Sequence, residues 1–450
     1  MISKAAIFVD APRADQADAP RALLQVGGLS LLERQLRQLK TTGIDEVLLI
    51  SSDFPEAVQV AVQKFRRVPP AISVIDGRLP VRGAWQADDM LLLIEDGVLI
   101  DSRLIATVMS AAEAGAPHAA FYPPRSVVVG IGDGTAVEWA DEDRLFASVA
   151  AVSGAVLTEA SDVEDGSARL NAALDGLRAA DGQEIAIGEI ATYMPGLRRD
   201  LEILWRPVSS QTECAKATAV LIGRSQKSVL DWPARFIHPP VENLLVRLAL
   251  PLPITPNFVT GVSTLIGLGI AYLFASGHML AGLALALTIG ALDGVDGKLA
   301  RVKLLTSRIG QLEHILDKVV EYGWYLAIAS YLAQVTGSQT AWALSAALIC
   351  FSWAEGVQGE FYRRLTLRQL DDAGNFERTF RLVGARRNTI VWALIPFALY
   401  EVWMTGLWFM TAYTVVTFFV AQWRFIVRIR DYLAANSPAV AENIQSTRYF

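Results

Sequence analysis

Cysteine is nearly missing from this chain. Cys214 and Cys350 are the only two in 450 residues. They are too few and too differently placed for a disulfide framework or a zinc site, which fits a reducing compartment for the soluble part. Net positive charge is missing as well. The 40 Lys and Arg are outnumbered by 46 Asp and Glu, a balance of −6, and the basic residues cluster beside apolar segments, so no nucleic-acid partner is expected. Internal repeats and long low-complexity tracts are absent. Met1-Ile-Ser-Lys runs directly into a strand-like Ala5-Ala-Ile-Phe-Val9, too short for the apolar core of a secretory signal, so none is expected in these residues.

Apolar residues are abundant instead. They make up 52% of the chain with a mean hydropathy of +0.34, and they concentrate in the second half. Six candidate spans can be read there, at about 257–275, 279–296, 312–334, 340–361, 388–405 and 407–427, each near the ~20 residues that a bilayer requires. The loops sort by charge. Arg301, Lys303 and Arg308 lie between spans two and three, and Arg363, Arg364, Arg368, Arg378, Arg381, Arg386 and Arg387 between four and five. Arg424, Arg428 and Arg430 follow the sixth, while the alternate loops carry no Lys or Arg. By the positive-inside rule both termini and the second-to-third loop face the cytoplasm.

Ahead of the first span, Thr255 or Asn257 is placed to cap its helix, with Pro256 blocking an earlier start. Upstream, Pro233 to Leu250 reads as an amphipathic helix at the membrane interface, or as a linker helix. The tail from Ala434 is polar.

The densest chemistry is Asp293-Gly-Val-Asp296-Gly297-Lys-Leu-Ala300-Arg301, followed by Gly310, Glu313 and Asp317. Asp293 and Asp296 are spaced i,i+3 and Glu313 and Asp317 i,i+4, so each pair occupies one helix face. A carboxylate beside hydrocarbon is costly unless it is paired or metal-bound. Two such helices facing each other make an oxygen-rich cage suited to Mg²⁺ or Mn²⁺.

These residues resemble the signature of the CDP-alcohol phosphotransferase family, D-x2-D-G-x2-A-R-x8-G-x3-D-x3-D. Asp293, Asp296, Gly297, Ala300, Arg301 and Gly310 match in identity and spacing. After Gly310 the pattern asks for aspartates where His314 and Lys318 stand, and this chain offers Glu313 and Asp317 one residue early. Either Glu313 or His314 is left for the third ligand position. Thr255-Pro256-Asn257 with Thr260 resembles the T-P-N-x2-T opening of the same family. The resemblance implies two divalent ions, Mg²⁺ or Mn²⁺, held by Asp293, Asp296 and Glu313 on the pyrophosphate of a CDP-alcohol. Asp317 would deprotonate the acceptor hydroxyl and add to the metal cage. Asp293, Gly297, Ala300, Arg301 and Gly310 would contact the CDP group, the small residues permitting close approach. Arg301 would pair with phosphate or with an acid on the facing helix. Arg363, Arg386 and Arg387 are candidates for an anionic acceptor or lipid head group, or for ordinary membrane-surface charge. Glu355 and Glu360 are their expected partners.

Residues 1 to about 200 alternate strand-like and helix-like segments: Ala5–Val9, Leu31–Leu39, Glu46–Ile50, Ala71–Ile75, Met90–Ile94 and Ala119–Tyr122. That pattern predicts an α/β layered domain with a largely parallel sheet. Pro20-Arg-Ala-Leu-Leu-Gln-Val-Gly27-Gly28-Leu-Ser-Leu-Leu-Glu33 is similar to a stretch of sugar-phosphate nucleotidyltransferases. Two of that family's elements are absent. Asp10-Ala-Pro-Arg13 replaces the glycine-rich loop that cradles a triphosphate, and Gly97, with Asp96 beside it, occupies the metal-binding aspartate position. Arg21 replaces the usual lysine. The expectation is a degenerate nucleotidyltransferase fold with a structural, regulatory or dimerisation role.

The pairing of two such domains, with Leu204-Trp-Arg-Pro-Val208, Lys227 and Asp231 between them, resembles fused enzymes that make CDP-inositol and then transfer inositol phosphate. The expected architecture is an α/β nucleotidyltransferase-like (Rossmann-like) soluble domain at 1–205, a linker with an interfacial helix at 206–253, an all-α six-helix transmembrane domain at 254–432, and a tail at 433–450. The expected function is transfer of a substituted phosphate from a CDP-alcohol to an acceptor hydroxyl, with CMP released, in phospholipid or inositol-type phosphodiester synthesis. Alternatives are a bifunctional enzyme whose first domain also makes the CDP-alcohol, and an inactive binding protein of the same fold. The resemblance further implies a homodimer in contact with membrane lipid.

Overall fold

A computed structural model describes residues 2–78, 83–113, 118–122, 145–163, 168–179, 183–305 and 310–446. The chain forms two compact units, Met1–Tyr193 with Asp200–Arg224, and Met194–Arg199 with Ser225–Phe450.

The first unit is built on strands β1 (Lys4–Phe8), β2 (Glu46–Ser51), β3 (Ala71–Asp76), β4 (Met90–Glu95), β5 (His118–Tyr122), β6 (Leu145–Ser153) and β7 (Gln183–Ala186). They form one seven-stranded sheet in the order β7-β5-β6-β4-β1-β2-β3. Pairings among β4, β1, β2 and β3 are parallel, and β6 runs antiparallel to both its neighbours. The expected α/β layering with a largely parallel sheet is what forms.

Both faces of the sheet are covered, so its strands read as nearly unbroken apolar runs. Ala5, Ile7 and Val9 pack on one side against helices α1 (Leu31–Thr41), α2 (Pro55–Val62) and α3 (Ser102–Ala112). Ala6 and Phe8 point the other way, into Leu157 of α4 (Gly154–Ser161) and Leu174 of α5 (Arg169–Ala179). Helix starts follow local chemistry: the Ser30 hydroxyl accepts from the Glu33 amide at 3.1 Å, and Asp101 caps α3. Helix α6 (Gln211–Arg224) joins this unit through Thr218, whose hydroxyl accepts from the Gly27 amide at 3.0 Å.

In open α/β sheets, ligands bind beyond the carboxyl ends of the strands, where strand order reverses. Here that place lies between β1 and β4, and internal ion pairs fill it. Asp10, just past β1, is buried and accepts from the Ser52 amide at 2.5 Å. Arg169 pairs with it at 3.3 Å and donates to Ser52 Oγ at 2.8 Å and to the Gly77 carbonyl at 2.5 Å. A Cβ at Gly77 would lie 2.2 Å from that guanidinium, so a larger residue there would displace Arg169 from its partners. At the end of β4, Arg21 pairs with both Glu95 and Asp96 at 2.9 Å. Burial lifts the Asp96 carboxyl to about 7 against the opposing pull of Arg21.

The second unit is helical: α7 (His238–Ala249), α8 (Pro256–Ala275), α9 (Met279–Val302), α10 (Gly310–Thr336), α11 (Thr340–Thr366), α12 (Asn375–Val383), α13 (Arg387–Ala393), α14 (Ile395–Leu399) and α15 (Trp403–Ser446). Among the described residues, four segments are long and apolar enough to cross a membrane: Pro256–Ala275, Met279–Val302, Thr340–Thr366 and Trp403–Ala435. Helix α10 occupies the place of the expected third span, and α13 with α14 that of the fifth. Pro396 cannot donate a hydrogen bond, so the helix of the fifth segment breaks at Leu394 and resumes at Ile395. It ends at Leu399, and after a left-handed Glu401 (φ 55°) the last helix starts at Trp403 rather than 407.

Small residues bring these helices together. Gly267 on α8 leaves room for Val320, and its carbonyl accepts from Trp324 Nε1 at 2.8 Å. Leu283 and Ile289 of α9, Ile328 of α10, Leu344 and Leu348 of α11 and Ile390 of α13 close the core. Leu265, Tyr272, Val319, Trp408 and Phe419 point outward and are exposed, an apolar exterior that suits lipid rather than water.

Arg169→Met is expected to destabilise the first unit by about 3–5 kcal/mol, because Asp10 keeps its charge without its partner. Urea-dependent proteolysis of the full chain measures this; an unchanged midpoint contradicts the closed strand-end described here.

Candidate active site

Helix α8 starts where its cap dictates. The Thr255 hydroxyl accepts from the Phe258 amide at 3.3 Å, with Pro256 in the first turn. One turn on, the Thr260 hydroxyl donates to Asp296 Oδ2 at 2.8 Å. The threonine that closes the T-P-N-x2-T string therefore orients an acid of the second string. Asp296 is buried, and its other oxygen accepts from the Gly297 amide at 2.5 Å.

Asp293 lies one turn back on α9, Asp317 is on α10, and Arg387 opens α13. The Arg387 guanidinium is ion-paired with Asp293 Oδ2 and reaches Asp317 Oδ1 at 3.5 Å. Its carbon sits 6.0 Å from the Trp324 ring centroid. Asp296 is close enough to Asp317 to act on it electrostatically. Two sequence-predicted acids, Asp293 of α9 and Asp317 of α10, are thus joined through one guanidinium, with Asp296 on the next turn of α9. The side chains of Glu313 and His314 lie outside the described residues. Among the described residues no group of three acids, histidines or cysteines closes a metal cage. The donor set nonetheless fits a hard divalent cation: it is all carboxylate oxygen, and it already draws one cationic group, Arg387, onto two of its members.

The remaining motif positions separate. Gly297 faces the Arg301 guanidinium, where a Cβ would lie 3.3 Å from its nitrogens. Arg301 Nε donates to the Ser225 carbonyl at 2.8 Å. Ala300 is half-buried on α9, and Gly310 begins α10.

Arg363 and Arg386 line a different space, a cleft of about 640 Å³ bordered by α11, α12 and α15. Arg386 pairs with Glu355 at 2.6 Å, and Arg363 and Arg364 share Glu360 at 2.7 and 2.8 Å. Both glutamates are the partners expected from sequence. Arg387 alone of the three arginines reaches the acids. At the far wall of the cleft, Glu377 accepts from Arg424 and Arg428 at 2.8 Å.

Sequence reading missed the residues behind this cluster. Asn388 Nδ2 donates to buried Asp231 at 3.3 Å. The His238 ring sits against Gly290, Glu242 fills the notch at Gly294, and Lys298 pairs with Glu242 at 2.8 Å. The one local signal was a pair of helix-interior glycines four residues apart, Gly290 and Gly294, which marks a close helix neighbour.

Residues 253–357 match the family described as CDP-alcohol phosphatidyltransferase. Over 207 residues the chain is 28% identical to the bifunctional IPC transferase and DIPP synthase of Thermococcus kodakarensis. That match covers 44% of this chain and 44% of the relative's length. Among solved structures, it is similar to the inositol-1-phosphate CTP transferase from T. maritima, at 9% identity, 49% of this chain, 96% of that one and a TM-score of 0.33. It is also similar to HddC from Yersinia pseudotuberculosis, at 12% identity, 49% of this chain, 99% of that one and a TM-score of 0.34.

Burial alone would raise the Glu377 carboxyl, but Arg428, Arg424 and a backbone hydrogen bond outweigh it and hold it at about 2. The stability it contributes is present above its ordinary value of 4.5 and is lost as pH falls from there toward 2. Glu377→Gln is therefore expected to melt at a lower temperature than wild type at pH 7, with the difference reduced to about half or less at pH 3. Thermal unfolding in detergent at both pH values checks this; parallel losses contradict it.

Proposed function

We propose that residues 254–432 catalyse transfer of a substituted phosphate from a CDP-alcohol to an acceptor hydroxyl, releasing CMP. The observation that carries this reading is the convergence of Asp293 and Asp317 on one cation, with Thr260 orienting Asp296 beside them. The match of residues 253–357 to a CDP-alcohol transferase family supports the same chemistry. In this reading the domain crosses the membrane six times, with the acid cluster and both termini cytoplasmic, and it works as a homodimer in lipid.

Asp293, Asp296 and Glu313, with Asp317 contributing, would hold two Mg²⁺ or Mn²⁺ ions. Such ions supply charge neutralisation on the pyrophosphate and on the departing CMP. Asp317 takes the proton from the acceptor hydroxyl as the new O–P bond forms. The bond from the same phosphorus to the CMP oxygen breaks, and CMP leaves with the electron pair. Thr260 holds the Asp296 carboxylate in one rotamer throughout.

The acceptor in this reading is anionic, a polyol phosphate of the inositol type. It enters the cleft lined by Arg363, Arg381 and Arg386. Arg381 Nε lies there 3.5 Å from Asp371 Oδ2, an ion pair too long to be a hydrogen bond, so the guanidinium can still donate to an anion. The first unit makes no CDP-alcohol in this reading, since Arg21 and Arg169 close the strand ends where a nucleotide would sit. The curated relative is named as a bifunctional enzyme, which favours a second reading in which the first unit does make the donor.

Mg²⁺-dependent CMP release by the full chain in detergent, over a panel of CDP-alcohols and acceptors, tests the main reading. Asp317→Asn is expected to lower the rate by about 10²–10⁴-fold, and Thr260→Val by about 10–100-fold. Wild-type turnover that persists in Asp296→Asn and Asp317→Asn contradicts the assignment. CTP turnover with an alcohol phosphate, expected to be absent, decides between the two readings; pyrophosphate release supports the bifunctional one.

A further inference from the structure

Helix α7 falls in the segment expected to be an interfacial or a linker helix, and Val241, Leu244 and Leu248 on its outward face are exposed. Its inward face is polar, and it is packed onto α9 across the turns that carry Asp293 and Asp296. The register is set by three contacts, each four residues apart on α9. The His238 ring occupies the space of a side chain at Gly290, where a Cβ would lie 2.7 Å from its Cε1. The Glu242 carboxyl occupies the space at Gly294, where a Cβ would lie 2.3 Å away. Lys298 then donates to Glu242 at 2.8 Å and to Asn243 Oδ1 at 2.6 Å.

Contacts at 238 and 242 against 290 and 294 mean that the two helices run in the same direction. Glu242 and Lys298 are only 4% and 2% exposed at their side chains. A buried ion pair adds little net stability against an apolar pair of the same shape, but it penalises any register that parts the charges. At about 100° per residue, Gly290, Gly294 and Lys298 form a stripe centred about 160° around the helix from Asp296 and about 100° from Asp293. Helix α7 therefore braces α9 from behind, and the far end of the brace is tied down too. Lys303, at the end of α9, donates to the Leu252 and Ile254 carbonyls at 3.0 and 3.2 Å.

We infer that Glu242 is a positioning residue: through Lys298 it fixes the depth and rotation of α9, and so the place where Asp293 and Asp296 present their oxygens. This inference rests on the proposed metal-dependent transferase reading and adds a residue to its machinery.

The test is Mn²⁺ binding to the full chain in detergent, followed by electron paramagnetic resonance, with CMP release measured alongside. Glu242→Ala is expected to weaken Mn²⁺ binding about tenfold or more per folded molecule. The exchanged pair, Glu242→Lys with Lys298→Glu, restores most of that loss, and Val241→Ala, on the exposed face, binds as wild type. A purely structural role would lower the folded fraction and leave the affinity of folded protein unchanged, which overturns the inference. Should Glu242→Ala fail to fold, Glu242→Gln keeps the shape and removes the charge; wild-type Mn²⁺ affinity in that variant overturns the inference equally. Asp296→Asn separates the two levels. If it binds Mn²⁺ and releases CMP as wild type does, the transferase reading falls and the inference with it. If it loses both while the Glu242 variants keep them, only the inference falls.

Discussion

A carboxylate withdrawn from water into an apolar helical bundle has to find a cation, because the low-dielectric surroundings do not replace the water it gives up. The second unit is organised around that requirement. Asp293 and Asp317 share Arg387, Glu242 holds Lys298, Glu355 holds Arg386, and Glu377 holds Arg424 and Arg428. These pairs link α7 to α9, α9 and α10 to α13, α11 to α13, and α12 to α15. The charges that make chemistry possible are thus also the ties between helices, and the same pairing fixes which helix can sit beside which.

Such ties need backbones close enough for short side chains to meet. Glycine supplies that closeness where α8 meets α10, at Gly267, and where α9 meets α7, at Gly290 and Gly294. A methyl group at any of these would strike a neighbouring side chain within 3 Å, so the packing that positions the acids depends on residues with no chemistry of their own. Threonine has a comparable part at 260. Its hydroxyl bonds back to the Pro256 carbonyl and forward to Asp296, joining the start of one helix to the acidic end of the next.

The same physics has a different outcome in the first unit. There the strand-end carboxylates Asp10, Glu95 and Asp96 are neutralised by Arg169 and Arg21, from within the same unit, and the place where an open α/β sheet accepts a ligand is occupied by protein. In the second unit, one arginine is shared between Asp293 and Asp317, and Asp296 on the next turn of α9 accepts from the Thr260 hydroxyl.

Much of this was legible in the residues alone. Apolar runs with period and length suited to strands or spans located β1 to β5 and α8 to α11, and helical spacing placed Asp293 with Asp296 on one face. The i,i+3 and i,i+4 rules are local, and so are caps such as Thr255, which is why they can be read without a structure. The turn at Glu401 moved the boundary between the last two segments, because hydropathy alone does not register a backbone reversal inside an apolar run. The partners of the charges were not legible. That Arg387, and not Arg386 or Arg363, reaches the acids depends on where α13 starts relative to α9, and that Glu242 lies in the notch of Gly294 depends on a parallel crossing of two helices about fifty residues apart. Sequence by itself determined which segments are buried or spanning and which acids share a face, since those follow from periodicity along one chain. Tertiary structure alone decided which cation each acid receives, because that is a matter of distance between elements that no local rule contains.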